Sequence, residues 1–218
     1  MVIALSLLFF EKKAEAQTHL NKHISWWPVY KLDYIISGKW KLENDIQARN
    51  LAKDPLVGLI ALRTGITYAI NEHWSTTGGV AWFFQQQTND DKLTTHTNEF
   101  RVWENLKNRL HFNRWILNNQ FRIEQRKWLG RQSVALRLGY RLGGEYSISK
   151  TWRGLAGNEI LWQTYRSASD WDQIRSWVGG GYVFNDHFNI QVLMMDQYRF
   201  QNRTHQPVVR INFNQTIN

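Results

Sequence analysis

The chain has 218 residues, with 12 Trp, no Cys and a formal net charge of +9. Without Cys, disulfides and thiolate chemistry are excluded. The mean hydropathy of −0.51 and the lack of an apolar stretch of about 20 residues exclude a transmembrane helical bundle but permit a membrane β-barrel, whose strands are half polar. Arg residues alternate with Glu and Gln instead of clustering, which argues against nucleic acid as a partner.

The first sixteen residues have features of a signal peptide. A short apolar run, Val2–Phe10, precedes a small-x-small cleavage pattern at Ala14 and Ala16. No basic segment precedes the run, so the alternatives are a clipped signal peptide (residues 1–16) and a buried N-terminal strand. The remaining residues, 17–218, contain no linker or low-complexity tract and are predicted to form one domain.

Segments of about ten to fifteen residues alternate between apolar and polar side chains along the rest of the chain. In Trp40–Arg49, Trp40 and Ile46 fall on one face, and Lys41 and Arg49 fall on the other. In a soluble sandwich the apolar face packs inward and the strands are shorter, whereas in an outer-membrane barrel the apolar face meets lipid. The pattern therefore predicts an all-β fold, an antiparallel transmembrane β-barrel of ten to twelve strands with a charged, largely filled lumen.

About eleven such strands can be counted, but a barrel with both chain ends in the periplasm needs an even number. The segment 17–36 is too long for one strand and is interrupted by Pro28. It is expected to hold two short strands, which gives twelve, or to thread the lumen in its first part. The remaining alternative is ten strands, with one later segment assigned wrongly.

Two kinds of connection alternate along the chain, as the short periplasmic turns and longer outer loops of outer-membrane barrels do. Tight turns are predicted at 37–39, 71–73, 113–114, 147–150 and 185–187, and longer polar connections at 49–55, 87–98, 128–133, 166–170 and 201–206. The 87–98 connection is predicted to plug the barrel or to bind outside it. An aromatic residue follows each tight turn, which predicts a girdle at one membrane interface formed by Trp40, Trp74, Trp115, Trp152 and Phe188.

Charged residues occur on several strands at spacings that direct them into one interior. Buried charges need partners because each one costs several kcal/mol alone, so Glu and Arg on neighbouring strands are expected to pair. The predicted ion-pair network consists of Glu99, Arg101, Arg122, Glu124, Arg126, Glu159 and Arg175. The alternative is an anion path, in which Arg137 and Arg141 join the lumenal arginines as unpaired, anion-selecting groups.

The same segments carry a family resemblance. The order of Glu99–Glu104, Arg122–Arg126, Asn158-Glu159 and Asp172–Arg175 resembles the pattern of the DUF2490 family, a group of outer-membrane barrels found largely in Bacteroidetes. The similarity extends from about Trp27 to the end of the chain. It implies a single-domain barrel in the bacterial outer membrane and implies no particular activity.

Catalytic and metal-binding patterns are sparse. No H-E-x-x-H motif, zinc-spaced His pair or phosphate-binding loop occurs, so no metal and no cofactor is predicted. A lipid acyl hydrolase would need a His–Ser pair such as His23 with Ser25 or His73 with Ser75, which share a strand face. Seven His in the chain make such pairs common by chance, and no enzymatic activity is predicted.

Three functions remain open. The first is a structural or accessory outer-membrane protein whose partners are lipid, lipopolysaccharide and other envelope proteins. The second is a small anion-selective pore or a binding barrel for anionic solutes. The third is a lipid A or phospholipid hydrolase in the outer membrane.

Overall fold

The computed structural model describes residues 19–20, 24–50, 57–88, 94–165 and 168–218. The predicted signal peptide, residues 1–16, lies outside the described residues and stays a prediction. Within the described part there is no helix long and apolar enough to cross a membrane. Its strands are β1 (His19–Leu20), β2 (Ser25–Ile35), β3 (Trp40–Asn50), β4 (Val57–Ala69), β5 (Trp74–Thr88), β6 (Thr94–Phe112), β7 (Trp115–Trp128), β8 (Val134–Ser147), β9 (Trp152–Tyr165), β10 (Ala168–Asn185), β11 (Phe188–Arg199) and β12 (Thr204–Ile217).

The strands form one closed barrel, antiparallel except at the pair that closes it, which confirms the predicted all-β barrel fold. Strands β2 to β12 each pair with the next strand along the chain, and β12 pairs back with β2. The barrel therefore has eleven strands, and the two-residue strand β1 continues its seam by pairing with Thr204 and His205 of β12.

The expected even strand number is wrong, because the barrel closes through a parallel pair. Eleven consecutive strands alternate in direction, so the first and last run the same way, and β2 and β12 pair in parallel from Ser25↔Val208 to Tyr34↔Ile217. Strand β2 thus begins at one end of the barrel and β12 finishes at the other. Pro28 lies inside β2, just before Val29, the first residue that pairs with β3, so its missing N–H breaks no hydrogen bond on that side.

The predicted tight turns all lie at one end of the barrel, the turn end. They occupy 37–39, 70–73, 113–114, 148–151 and 186–187. Short polar side chains stabilise them by accepting backbone hydrogen bonds: Asn71 Oδ1 accepts from the N–H of His73 and of Trp74, at 2.9 and 2.8 Å. Asn113 adopts a positive φ of 53°, which Asn tolerates better than most residues.

At the other end of the barrel, the loop end, the connections are shorter than predicted. The expected loop 87–98 is wrong for most of its length, since β5 continues to Thr88 and β6 begins at Thr94, with pairing up to Thr88↔Thr94. Strands β10 and β12 likewise begin within the expected loops 166–170 and 201–206. These three segments resemble loops in the sequence because their side chains are polar. Both faces of a strand can be polar, however, where the strand extends beyond the apolar belt of a barrel.

The side chains alternate between lumen and exterior as the period-2 pattern predicts. On β8, Leu136 and Leu138 are exposed on the outer face, while Ala135 and Arg137 are buried inside. Two apolar clusters pack inside the wall. One is formed by Ala61, Ala81, Phe83 and Trp103, and the other by Trp27, Met195 and Val208 with Trp177 against them.

Candidate functional site: the charged lumen

The lumen contains a cavity of about 780 Å³ lined mainly by polar and charged side chains. Fourteen Lys and Arg residues line it, against eight Asp and Glu, so its described wall has a formal excess of six positive charges. The charges are distributed unequally around the wall, because four of the eight carboxylates lie in one ion-pair network whereas several cations lie elsewhere.

The ion-pair network runs along one side of the lumen and joins five neighbouring strands, β6 to β10. Arg101 links its first two carboxylates, with its Nε 2.7 Å from Glu99 and its Nη1 3.1 Å from Glu124. Arg122 links Glu124 to Glu159, with its Nη1 at 3.5 and 3.6 Å from them. The structure thus brings all seven residues predicted for this network into contact: Glu99, Arg101, Arg122, Glu124, Arg126, Glu159 and Arg175.

The two arginines predicted to line an anion path belong to the same network. Arg137 donates to Glu124 through its Nε at 2.9 Å and approaches Asp172 at 3.4 Å. Arg141 donates to Glu159 through its Nη2 at 2.8 Å. Neither is an unpaired lumenal cation. The strand register that directs both side chains inward also places Arg137 directly across from Glu124 of β7 and Arg141 directly across from Glu159 of β9.

A second group of ion pairs, which was not predicted, lies nearer the turn end. Glu43 of β3 accepts two hydrogen bonds of 2.8 Å from Lys107 of β6, and one of 2.7 Å from Thr67. Lys41 is 2.7 Å from Asp33 on β2. Strands β3 and β6 are not neighbours in the sheet, so the Glu43–Lys107 pair depends on closure of the barrel and leaves no signal in local sequence spacing.

Three lumenal cations next to the parallel seam form a separate group, the cationic cluster: Lys31 of β2, Arg49 of β3 and Arg210 of β12. Within the described part of the chain, no carboxylate lies within ion-pair distance of any of them, although Asp45 exerts a longer-range attraction on Lys31 and Arg210. Arg49 donates to Gln47 at 2.6 Å, and Arg210 donates to Asn212 at 2.8 Å. These cations also repel one another, since Arg210 acts on both Lys31 and Arg49.

Two lumenal Trp side chains have indole N–H groups without a described acceptor, Trp27 next to the cationic cluster and Trp103 in the apolar cluster with Ala61, Ala81 and Phe83. Trp27 is only 4% exposed, and its Nε1 has no hydrogen-bond partner among the described residues; the same is true of Trp103 and of the Nε atoms of Arg49 and Arg141. The Arg49 guanidinium lies 4.2 Å from the centre of the Trp27 ring, within cation–π range. Sequence reasoning missed Trp27 and Lys31 because Pro28 obscured the alternation of β2.

The outer surface has aromatic residues at both ends of the barrel. At the turn end, cross-strand aromatic pairs pack in tilted contact at centroid distances of 4.7 Å for Trp40–Tyr68 and 4.8 Å for Trp115–Tyr146. The predicted girdle residues Trp40, Trp74, Trp115 and Trp152 are exposed there, and Phe188 is half-buried. At the loop end the outer aromatics include Trp26, Phe84 and Trp171.

The residues considered for hydrolysis do not form a catalytic pair within the described structure. Ser25 is fully buried, and its Oγ accepts a hydrogen bond of 2.7 Å from Gln206. His23 lies outside the described residues. His73 lies in a tight turn, 3.5 Å from Glu72, whereas Ser75 lines the lumen. Across the described ranges no group of three or more His, Asp or Glu residues could hold a metal ion.

Comparison with known proteins gives a family and two structural neighbours. The chain is similar to in-vitro folded OmpT, an outer membrane protein of Vibrio cholerae, at a TM-score of 0.47 and 9% identity, covering 84% of this chain and 58% of that one. It is similar to the loop L8 deletion mutant of OmpT at a TM-score of 0.47 and 9% identity, covering 75% and 55%. The chain therefore spans less than two thirds of the length of either.

No curated protein matches the chain. A family model does match, over residues 24–207, and it covers all of the barrel from β2 to the start of β12. This confirms the predicted family resemblance. The chain belongs to the family described as "Protein of unknown function (DUF2490)".

Proposed function

We propose that this protein is an outer-membrane β-barrel that admits small anionic solutes into and through its lumen. A membrane location is supported by the exterior, where exposed apolar side chains such as Ile123, Leu138 and Val178 lie between the aromatic residues of the two ends. Trp and Tyr favour membrane–water interfaces because their rings are apolar and carry one polar atom. The proposed contacts of this surface are lipid and lipopolysaccharide.

The excess of six positive charges around the lumenal cavity is the observation that carries the anion proposal. Low-dielectric walls of one charge sign focus the field and raise the local concentration of counter-ions. Rings of Arg and Lys select anions in pores for this reason. The cationic cluster of Lys31, Arg49 and Arg210 supplies positive charge with no described carboxylate within ion-pair distance, although Asp45 is the cross-strand partner of Lys31.

Proteoliposome swelling tests the proposal. Vesicles that contain the refolded barrel are diluted into iso-osmotic solutions of a neutral sugar, its sugar acid and its amino sugar, which have similar sizes and differ in charge. We expect entry in the order acid, neutral, amine. The Lys31→Gln/Arg49→Gln/Arg210→Gln variant should bring the rate for the acid close to that for the neutral sugar.

Arg109→Gln is the matched control, because Arg109 also lines the cavity but lies on β6, which pairs with none of β2, β3 and β12. It should slow entry of the acid much less than the triple variant does. Entry of the amine faster than the acid would contradict the proposal.

The ion-pair network supports a second candidate function, that of a structural or accessory envelope barrel with other envelope proteins as partners. Ion pairs that join five strands across one wall would hold the lumen rigid without any transport role. Under this alternative, vesicles with correctly folded barrel would swell in none of the three solutions. Under either candidate we propose that the protein acts without catalysis.

A further inference from the structure

The cationic cluster adjoins a set of buried hydrogen-bond donors that have no acceptor among the described residues. Trp27 Nε1 and Arg49 Nε are such donors, and both side chains line the lumenal cavity. A buried donor without an acceptor destabilises the folded state, so two of them side by side are an unfavourable arrangement for a wall with only a structural role.

The surroundings of these donors are strongly cationic. Trp27 and Arg210 are directly paired residues across the parallel seam. The guanidinium of Arg175 lies 5.7 Å from the centre of the Trp27 ring, and its own charge is compensated by Glu159 at 2.9 Å. Lys31 lies farther along β2 on the same lumenal face. The N–H groups of Trp27, Arg49 and Arg210 thus converge next to the seam, where no described carboxylate lies within ion-pair distance, and Lys31 adds a charge farther along the same face, across from Asp45.

Resting on the proposed anion-admitting lumen, we infer that Trp27, Lys31, Arg49 and Arg210 form a discrete binding site for multiply charged oxyanions of the phosphate class. An oxyanion presents several acceptor oxygens to N–H groups that differ in direction, whereas chloride presents a single sphere. Three clustered cations also favour an anion of charge −2 over a monovalent one, since each Coulomb term scales with the charge of the ligand. Indole, guanidinium and ammonium groups donate only, so these four side chains favour anions over cations.

The inference is tested by isothermal titration of the full-length barrel in detergent with inorganic phosphate and, separately, with chloride at matched ionic strength. We expect saturable phosphate binding to one site and no saturable chloride binding. Arg49→Gln, which removes one charge-assisted contact, should weaken phosphate binding by at least tenfold. Trp27→Phe keeps the ring and removes only the N–H, and it should weaken binding by a smaller factor, about fivefold.

Arg109→Gln serves again as the control and should leave phosphate affinity unchanged, because it removes lumenal charge far from the seam in the strand order. Equal losses in Arg49→Gln and Arg109→Gln would overturn the site in favour of a diffuse field. Absence of phosphate binding in the wild type would also overturn it. The swelling assay with the sugar acid distinguishes failure of this site from failure of the proposed function. If the sugar acid still enters the vesicles but phosphate does not bind, the lumen admits anions and lacks this binding site.

Discussion

At the scale of single residues, Glu159 is the lumenal carboxylate that contacts three different arginines. It is 2% exposed and contacts Arg141 and Arg175 at 2.8 and 2.9 Å, with Arg122 at 3.6 Å. Three guanidinium groups therefore share one buried carboxylate, and Arg122 alone among them also contacts Glu124. Removing one partner of a buried ion pair leaves uncompensated charge, which costs far more than the pair contributes at a surface.

Glu159→Gln is expected to lower the free energy of unfolding by about 3–5 kcal/mol. Urea unfolding of the barrel in detergent, followed by Trp fluorescence, measures the change. Glu145→Gln is the matched control, because Glu145 also lines the lumen but its described contact is a 3.1 Å hydrogen bond from Asn118. Its effect should be below about 1 kcal/mol. Equal effects of the two variants would show that the network does not depend on Glu159.

The sequence predicted the members of the ion-pair network well and the cationic cluster poorly, for a physical reason. Glu99 and Arg101 lie two residues apart on one strand, so the period of the pleat alone puts them on one face. Whether a given Arg finds a carboxylate depends on the register between strands. Arg141 and Arg49 both follow the alternation, yet only Arg141 is adjacent in register to a carboxylate, Glu159.

At the scale of elements, strands β4 and β5 are joined at a place where only glycine fits. Gly65 and Gly79 are directly paired, and the Trp103 ring packs against both of them on the lumenal side. A Cβ at Gly79 would lie 2.2 Å from the carbonyl oxygen of Thr64 and 2.7 Å from the Trp103 ring. Gly78, its neighbour, faces outward and a Cβ there would meet nothing within 4 Å.

Gly79→Ala should therefore lower the free energy of unfolding by about 1–3 kcal/mol, the usual cost of forcing a group into a filled space. Gly78→Ala should leave stability unchanged or raise it by about 0.5 kcal/mol, because alanine restricts the unfolded chain. Urea titrations of the two variants side by side make the comparison. A Gly79→Ala barrel as stable as the Gly78→Ala barrel would contradict the close Trp103 contact.

The parallel seam is the element that the sequence did not predict. Hydrophobic alternation identifies strands but carries no information about which strand closes the barrel, and Pro28 hid the continuity of β2. The even-number expectation then favoured ten or twelve. Closure is set by the pairing of β2 with β12, where Tyr30 faces Phe213 on the outer surface.

A cross-link tests this seam, and the absence of Cys from the chain makes the test clean. Tyr30→Cys/Phe213→Cys should form a disulfide on oxidation, since neighbouring strands lie about 4.8 Å apart and disulfides need Cα separations of about 4.4–6.8 Å. Tyr30→Cys/Val192→Cys is the control, because Val192 lies on β11, which does not pair with β2. Mass spectrometry of tryptic peptides detects the link. A linked control or an unlinked seam pair would contradict closure of the barrel by β2 and β12.

At the scale of the whole molecule, the exterior and the lumen differ in the side chains that they present. Apolar and aromatic side chains cover the outer wall, whereas the net positive charge of the chain is concentrated inside, where fourteen cations face eight carboxylates. Most of this division follows from the period-2 pattern and was predictable. The size of the lumenal charge excess was not, because it depends on which loop-end residues extend the strands and on which charges face the cavity.

The most direct test of the proposed anion-admitting lumen is the reversal potential of the refolded wild-type barrel in a planar lipid bilayer across a potassium chloride gradient. We expect steady conductance with a reversal potential of the sign that indicates preference for chloride over potassium, and a preference that weakens as salt screens the lumenal charge. A reversal potential that indicates preference for potassium would contradict it, and so would a correctly folded barrel that conducts no ions.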